Sequence, residues 1–372
     1  MFKSYKKFVI YSLLIPLPFV LFLGVLLYVY DPLQLYHEPW FRKKTYHDDM
    51  RIQAKGIIDH SSFDSIILGT SMLGNTSANE SQKKLGGKWL NLSLPGSFLH
   101  ERNVILNYIL KKNNLKQIII SIDSFAISNP ILKSTRGYEF LYDNNSYNDF
   151  KIYLSNKFLR CALVLSTDKK CIGIKKQNNN YVLEKNIYGF RNWKLSNSHK
   201  QLKELYRAIL NVKEFHTQSL INNQSNKEYV KEYLLNVIKS NPQIDFYLII
   251  PTYSRLAYRI NISNEYPNQN NILFYNFQYS IKWLIEETDK FTNVKIYGFD
   301  NYDYADDLNN YKDPFHYNTD MNSMQLDAIK NQTNILTPEN MDEYFKIMEE
   351  KIKNYDLNPL IEQIKASGIL DK

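Results

Sequence analysis

Apolar runs that end in glycine or small polar residues recur along the chain, separated by stretches with helical periodicity. Five short apolar runs predict strands, and the third of them is rich in β-branched residues: residues 65–68, 88–94, 117–123, 244–251 and 293–299. Apolar residues at helical spacing follow or separate them: residues 79–85, 101–112, 229–238, 275–287 and 323–330. This alternation of strands and helices predicts an α/β domain with a parallel sheet covered by helices.

A long interruption separates the third predicted strand from the fourth. Residues 125–241 are rich in Tyr, Asn and Lys and mostly have no clean period, apart from helical patterns at 201–212 and 229–238. Long irregular segments in compact domains are usually functional lids or disordered loops, and we predict an insertion that covers the active face. The predicted organisation is one domain at 63–337 that carries this insertion, with a polar connector at 31–62 before it. A solvated helical tail is predicted at 338–372.

The amino-terminal residues 1–30 predict a short tail and a transmembrane anchor. Residues 8–30 are almost entirely apolar and carry no charge. This stretch is long enough to cross a hydrocarbon core of about 30 Å. Pro16 and Pro18 are expected to kink this helix. Three lysines precede the run and place the amino terminus in the cytoplasm by the positive-inside rule, so the body of the protein is predicted to be extracytoplasmic. A cleaved signal peptide is the alternative, although the run is long for one and no small-x-small cleavage site follows it.

Aromatic residues cluster where this apolar run ends. They are Tyr28, Tyr30, Tyr36 and Trp40. Tyrosine and tryptophan are enriched at membrane–water interfaces, so we predict an interfacial belt. The localisation predicted from these features is a single-pass protein of a bacterial inner or plasma membrane.

Composition narrows the range of partners. The 372 residues carry a formal net charge of +8, and the lysines are scattered among acidic residues rather than clustered. The chain contains no arginine-rich arm, zinc-finger spacing or phosphate-cradling glycine loop, so neither nucleic-acid binding nor a cofactor or metal is predicted. Cys161 and Cys171 either close a short disulfide loop in an oxidising compartment or remain separate thiols.

Candidate chemistry lies at two strand ends. Ser71 follows the first strand through Gly69-Thr70, and Asp313 and His316 follow the fifth. Serine needs an adjacent base to become nucleophilic, histidine can supply that base, and a carboxylate can orient the imidazole. Each element also has a simpler interpretation, because small residues often end strands and Asp-Pro often opens a turn. The common position at strand ends favours a Ser-His-Asp triad.

The chain resembles the SGNH (GDSL-like) hydrolase superfamily in three blocks. Gly69-Thr70-Ser71 resembles the first block, residues 91–96 the second and Asp313-Pro314-Phe315-His316 the last. The resemblance implies a flavodoxin-like three-layer sandwich with a five-stranded parallel sheet. It also implies that Ser71 is the nucleophile, His316 the base and Asp313 its orienting group. The N–H of Gly96 would be an oxyanion donor, and Asn91 is a further candidate for binding the oxyanion or the substrate.

Two positions depart from the family pattern. Thr70 stands where the family often has aspartate, and Asp123-Ser124 stands where it usually has the asparagine that donates to the oxyanion. An ionised aspartate would repel an oxyanion, so the third oxyanion donor is not identified. Ser124 is a candidate substrate-binding residue. Membrane-anchored relatives that O-acetylate polysaccharides also vary here.

Together these features predict a membrane-anchored, extracytoplasmic serine esterase or O-acyltransferase that acts on a cell-envelope or exported polysaccharide. The partners implied are a glycan or another acyl-accepting substrate, and a polytopic membrane acyltransferase as acyl donor. The alternative is a non-catalytic envelope assembly or glycan-binding protein on a degenerate SGNH scaffold.

Overall fold

The computed structural model describes residues 2–112, 114–128, 137–143, 145–173, 199–212, 224–260, 270–368 and 370. The chain divides into two compact units. Unit 1 combines residues 1–62 with 136–178, and unit 2 combines 63–135 with 179–372. Much of the predicted insertion at 125–241 lies outside the described residues, and its described part is shared between the two units.

The described elements follow the predicted order, with further short helices. The strands are β1 Ser65–Leu68, β2 Trp89–Asn91, β3 Gln117–Ser121, β4 Asp245–Ile249, β5 Val294–Tyr297 and β6 Ile335–Leu336. The helices before β4 are α1 Phe2–Leu14, α2 Leu17–Tyr30, α3 Met50–Asp59, α4 Ser71–Gly74, α5 Ala78–Leu85, α6 Leu99–Lys112, α7 Ser124–Ser128, α8 Asn156–Leu163, α9 Lys169–Ile172, α10 His199–Leu210, α11 Gln224–Val230 and α12 Asn236–Ser240. Those after it are α13 Arg255–Arg259, α14 Asn270–Thr288, α15 Thr319–Asn331, α16 Met341–Lys353 and α17 Asn358–Ala366.

Unit 2 is built on one mixed sheet with the strand order β2-β1-β3-β4-β5-β6. The first five strands are parallel, and β6 pairs antiparallel with β5. The prediction of five strands therefore missed β6, which has only two residues and no readable period. Positive φ angles at Gln332 and Asn334 reverse the chain after α15, which makes the antiparallel return possible.

The registers of the central strands bring several chain segments to one edge of the sheet. Ile67 of β1 lies opposite Asn91 of β2 and Ile119 of β3. All four residues of β1 are buried, so both faces of the sheet are covered at its centre. Because parallel strands end at a common edge, the residues that follow β1, β2, β3 and β4 meet there.

The segment predicted as a polar connector is a folded part of unit 1. Asp31 is buried after α2, and its carboxylate accepts hydrogen bonds from the backbone N–H groups of Leu35, Tyr36 and His37 at 2.8–2.9 Å. The Tyr153 hydroxyl also donates to it. Because Tyr153 is 122 residues away in the sequence, no local pattern indicated this contact.

The amino-terminal helices have the length and apolar character of a membrane span. The span covers Tyr5–Tyr30, and helical structure is interrupted between α1 and α2 beside Pro16. Tyr30 is buried in unit 1, with its hydroxyl donating to the Ser166 carbonyl at 2.7 Å, so it does not belong to an exposed aromatic belt. Cys161 and Cys171 form a disulfide bond in the same unit.

The carboxyl-terminal segment is helical but packs into unit 2, which corrects the prediction of a solvated tail. α16 buries Phe345, Met348 and Ile352, and α17 buries Leu360 and Ile364. In both helices the buried residues recur at three- or four-residue spacing, which is the signature of a packed amphipathic face.

Candidate active site

The turn after β1 presents Ser71. Thr70 caps α4, with its Oγ1 accepting from the Met72 N–H at 3.3 Å, and Ser71 is the first helical residue. The Gly69 N–H donates to Ser93 Oγ at 3.1 Å. A Cβ on Gly69 would lie 2.7 Å from Leu73 Cβ, so the tight approach of strand and helix requires glycine here. The turn thereby holds Ser71, which is half-buried, at the edge of the sheet.

The loop that carries Asp313 and His316 is closed on itself. Tyr311 and Tyr317 form an isolated antiparallel bridge at its base, and the Lys312 N–H donates to the His316 carbonyl at 2.8 Å. Ser254, which follows β4, donates its hydroxyl to the Pro314 carbonyl at 2.6 Å. The loop is therefore held by bonds within itself and by a bond to the segment after β4.

The structure brings Ser71, His316 and Asp313 into one hydrogen-bonded chain. His316 Nε2 lies 2.9 Å from Ser71 Oγ, and His316 Nδ1 lies 2.7 Å from Asp313 Oδ2. Ser71 and His316 are 245 residues apart in the sequence. With Nδ1–H donating to the carboxylate, Nε2 is the free acceptor for the serine proton.

Asp313 is held as a carboxylate by its surroundings. Its Oδ1 accepts from the backbone N–H groups of Phe315 and His316, each at 2.9 Å. Burial by itself raises the pKa of this carboxyl group, but the hydrogen bonds from the His316 ring and from the two N–H groups outweigh burial, so the pKa of Asp313 lies below its usual range.

Because the pKa of Asp313 is lowered by folding, its ionised form contributes stability that is present above the ordinary carboxyl range and lost as pH falls through the folded pKa. We expect wild type to be more stable than Asp313→Asn at about pH 7 and this advantage to shrink below about pH 4. Urea unfolding of both proteins across this range measures it. A stability difference that stays constant with pH would contradict the assignment.

The helix after the loop ties it to the turn that presents Ser71. Asn322 in α15 is buried, and its Nδ2 donates to the Met72 carbonyl at 3.0 Å and to Thr76 Oγ1 at 2.9 Å. The same helix begins at Thr319, three residues after His316. One rigid element therefore connects the turn that presents Ser71 with the loop that presents the imidazole.

The segment after β2 approaches the same turn through its backbone. The Leu94 N–H donates to the Gly69 carbonyl at 2.8 Å, and Gly96 follows with a φ of 60°. That conformation favours glycine. The space beside Gly96, where a side chain would begin, contains no heavy atom of the described residues within 4 Å. Gly96 therefore lies on an open surface close to the turn that bears Ser71.

Asn91 plays a different part from the one predicted. Its Nδ2 donates to the carbonyls of Leu73 at 2.8 Å and Thr76 at 2.9 Å, and its Oδ1 accepts from the Ser93 N–H at 3.0 Å. With its amide occupied by the backbone, buried Asn91 holds the end of α4 in place and does not face a substrate.

Asp123 is fully buried next to the turn that presents Ser71. Its carboxylate accepts from Thr70 Oγ1 at 2.6 Å, Ser121 Oγ at 2.6 Å and the Tyr253 hydroxyl at 3.2 Å. Arg102 Nη2, also buried, is 3.7 Å from Asp123 Oδ2. The aspartate thus faces Thr70, the residue before Ser71, and its charge is compensated inside the protein by Arg102.

Thr70 and Asp123, the two positions that differ from the SGNH pattern, are hydrogen-bonded to each other. The threonine at position 70 supplies a hydroxyl donor, and the aspartate at position 123 supplies the acceptor. Burial raises the pKa of Tyr253 well above its usual value, so its hydroxyl stays protonated and can donate to the carboxylate. The ring of Tyr253 packs edge-on against Phe315, with centroids 5.8 Å apart, which links the Asp123 network to the histidine loop.

Sequence reasoning missed most members of this network. Ser93, Ser121 and Tyr253 each follow or end a strand at the functional edge, and that shared position was the available signal. Arg102 gave no signal, because an arginine on an amphipathic helix is normally exposed. The predicted candidate Ser124 is half-buried and begins α7. It is connected to the site only as the residue that follows Asp123.

The chain matches no protein-family model and no curated protein sequence. Among the described residues, no group of three or more His, Cys, Asp and Glu side chains is arranged to hold a metal ion. The site is therefore defined by its own geometry.

Proposed function

We propose that the protein is a membrane-anchored serine esterase or O-acyltransferase with an SGNH-like site, acting on an acylated glycan outside the cytoplasm. The observation that carries this proposal is the hydrogen-bonded chain from Ser71 Oγ through His316 to Asp313, with distances of 2.9 and 2.7 Å. This arrangement is the one that nucleophilic acyl transfer requires. The parallel strand order 2-1-3-4-5 also supports it, because that order is typical of flavodoxin-like sheets.

In the first half-reaction, Ser71 Oγ attacks the acyl carbon and its proton moves to His316 Nε2. The carbonyl oxygen becomes an oxyanion that accepts from the backbone N–H groups of Ser71 and Gly96. The intermediate then collapses, the bond to the leaving group breaks, and His316 returns the proton to it. Asp313 stabilises the imidazolium between these steps.

In the second half-reaction, an acceptor hydroxyl attacks the acyl-enzyme with His316 as base. Water as acceptor gives hydrolysis, and a sugar hydroxyl gives transfer. Both outcomes share the covalent intermediate on Ser71.

Placement outside the cytoplasm is supported by two features of unit 1. The Cys161–Cys171 disulfide is typical of an oxidising compartment, and the Tyr5–Tyr30 span offers the anchor. The lysines before the span favour a cytoplasmic amino terminus. At that location, a glycan of the cell envelope could act as the acyl acceptor or donor. A polytopic membrane acyltransferase is the proposed source of acyl groups.

The test is covalent labelling of Ser71 in the full-length protein in detergent micelles. Wild type, Ser71→Ala and Ser62→Ala are incubated with p-nitrophenyl acetate or with a fluorophosphonate, and intact mass is measured. Ser62 is exposed and serves as the matched serine control. We expect one adduct in wild type and Ser62→Ala and none in Ser71→Ala. The fluorophosphonate reports an activated serine whatever the natural acyl donor.

Folding of each variant is checked by thermal unfolding. If folded wild type reacts with neither reagent, the catalytic proposal is wrong, and the non-catalytic envelope assembly or glycan-binding function becomes the better explanation.

A further inference from the structure

Unit 1 exposes an apolar loop that begins at the last residue of α8. The relative exposures of Leu163, Val164 and Leu165 are 57%, 75% and 43%. Three adjacent exposed side chains of this kind are unfavourable in water, and such surfaces commonly mark interaction sites.

The loop is held in this exposed shape. The Leu165 N–H donates to the Ala162 carbonyl at 3.0 Å, and the Ser166 N–H donates to the Cys161 carbonyl at 2.9 Å. The Cys161–Cys171 disulfide closes the segment behind it. Because backbone bonds and a covalent link define the loop, its apolar side chains cannot fold back without breaking them.

The loop lies beside the carboxyl end of the candidate membrane span. The Tyr30 hydroxyl, at the last residue of α2, donates to the Ser166 carbonyl at 2.7 Å. α2 packs against α8 in this region, and Leu27 and Tyr30 are buried there. The span has 26 residues, which is about 39 Å of helix against about 30 Å of hydrocarbon, so its end reaches the interface.

An aromatic cluster occupies the other side of the same helix end. Tyr28 packs against His37 and Trp40, with ring centroids 5.2 and 6.2 Å away, and Trp40 is exposed. Tyr28 and Tyr30 point about 200° apart around the helix. The apolar loop and the aromatic cluster therefore flank the span on opposite sides.

The charge around the loop favours a lipid surface. Residues 156–173 contain four basic residues and one acidic residue, and Arg160, Lys169 and Lys170 are exposed. Basic residues beside exposed apolar side chains are the pattern of segments that bind the interface of anionic membranes.

We propose that Leu163–Leu165 is a second membrane-contact element, which inserts into the lipid interface beside the end of α2. Continuity with the apolar span and the basic flanks favour lipid over a protein partner. A lipid-seated loop would fix the orientation of unit 1 on the membrane, which a single helix cannot do. The inference is independent of the catalytic proposal.

The test uses full-length Val164→Trp in proteoliposomes that contain anionic lipid and no other protein. Lipids brominated near the headgroup quench tryptophan that lies at the interface. The chain has 4 native tryptophans, so the emission added over wild type is measured. The matched control is Leu210→Trp, an exposed leucine of α10 in unit 2. We expect brominated lipid to remove most of the emission added at position 164 and little of that added at position 210.

Equal emission at position 164 with brominated and plain lipid would overturn the proposal and favour a protein partner for this loop. Equal quenching at both positions would also overturn it, since the contact would not be specific to the loop. In a second variant, Val164→Trp is combined with Lys169→Glu and Lys170→Glu. Quenching should then fall with anionic lipid and stay unchanged with zwitterionic lipid, and no difference would overturn the role of charge.

Discussion

Replacing His316 with alanine is expected to lower kcat for acyl transfer about 10⁴-fold or more, because Ser71 loses the base that takes its proton. His316 Nε2 is the group at 2.9 Å from Ser71 Oγ, and within the described part of the chain no other side chain makes a hydrogen bond to that oxygen. The rate of p-nitrophenyl acetate turnover by the purified full-length protein measures the effect.

The double variant gives the sharper result. Residues that act as one unit are strongly non-additive, so Ser71→Ala combined with His316→Ala should be about as slow as either single variant. The matched control is His60→Ala, a histidine of unit 1, which should retain wild-type turnover. If the two effects multiplied instead, Ser71 and His316 would be acting independently, and the triad would not exist as proposed.

Removing the carboxylate of Asp123 is expected to produce the largest loss of stability. Asp123→Ala should lower the free energy of unfolding by about 3–5 kcal/mol, because it leaves the buried Arg102 guanidinium without its counter-charge. Burial already lowers the pKa of Arg102, and Asp123 partly offsets that effect. Urea unfolding gives the number.

A double-mutant cycle separates the ion pair from the hydrogen bonds to Thr70 and Tyr253. Arg102→Met combined with Asp123→Asn should be less destabilising than the sum of the two single variants, because no charge is left unpaired. Glu287→Gln is the control, since Glu287 pairs with the exposed Lys290 and should change stability by less than about 1 kcal/mol. Additive effects at positions 102 and 123 would contradict the pairing.

The sequence indicated some of the residues at the strand ends and not others. Ser71 and the Asp313–His316 pair stood out because each follows an apolar strand and because together they supply the residue types of a Ser-His-Asp triad. Their hydrogen-bonded geometry also depends on long-range contacts, such as the hydrogen bond from Asn322 to the Met72 carbonyl. No local sequence pattern indicates such a contact. Asn91 shows the limit of the argument, because a side chain at a strand end can equally serve the backbone around it.

The elements of the sheet were largely predictable, since buried parallel strands are continuous apolar runs with clear ends. β6 was missed because two residues carry no periodicity. Unit 1 was missed for another reason, since its contacts join residues near position 31 to residues near position 153, and neither segment has a strong pattern alone. Arg102 shows a third limit, because it lies on α6 and its buried partner Asp123 follows β3.

The assembly of unit 1 from two separated segments determines an order of events during synthesis. Asp31 is made 122 residues before Tyr153, its buried partner, so at 5–20 residues per second it waits about 6–24 s. During that interval β1, β2 and β3 emerge, but β4 does not. The shortest continuous fragment that contains all of unit 1, residues 1–178, would therefore also carry three strands with an unpaired edge on β3. We expect such a fragment to aggregate. Both units would then form only when the whole chain is translated without interruption.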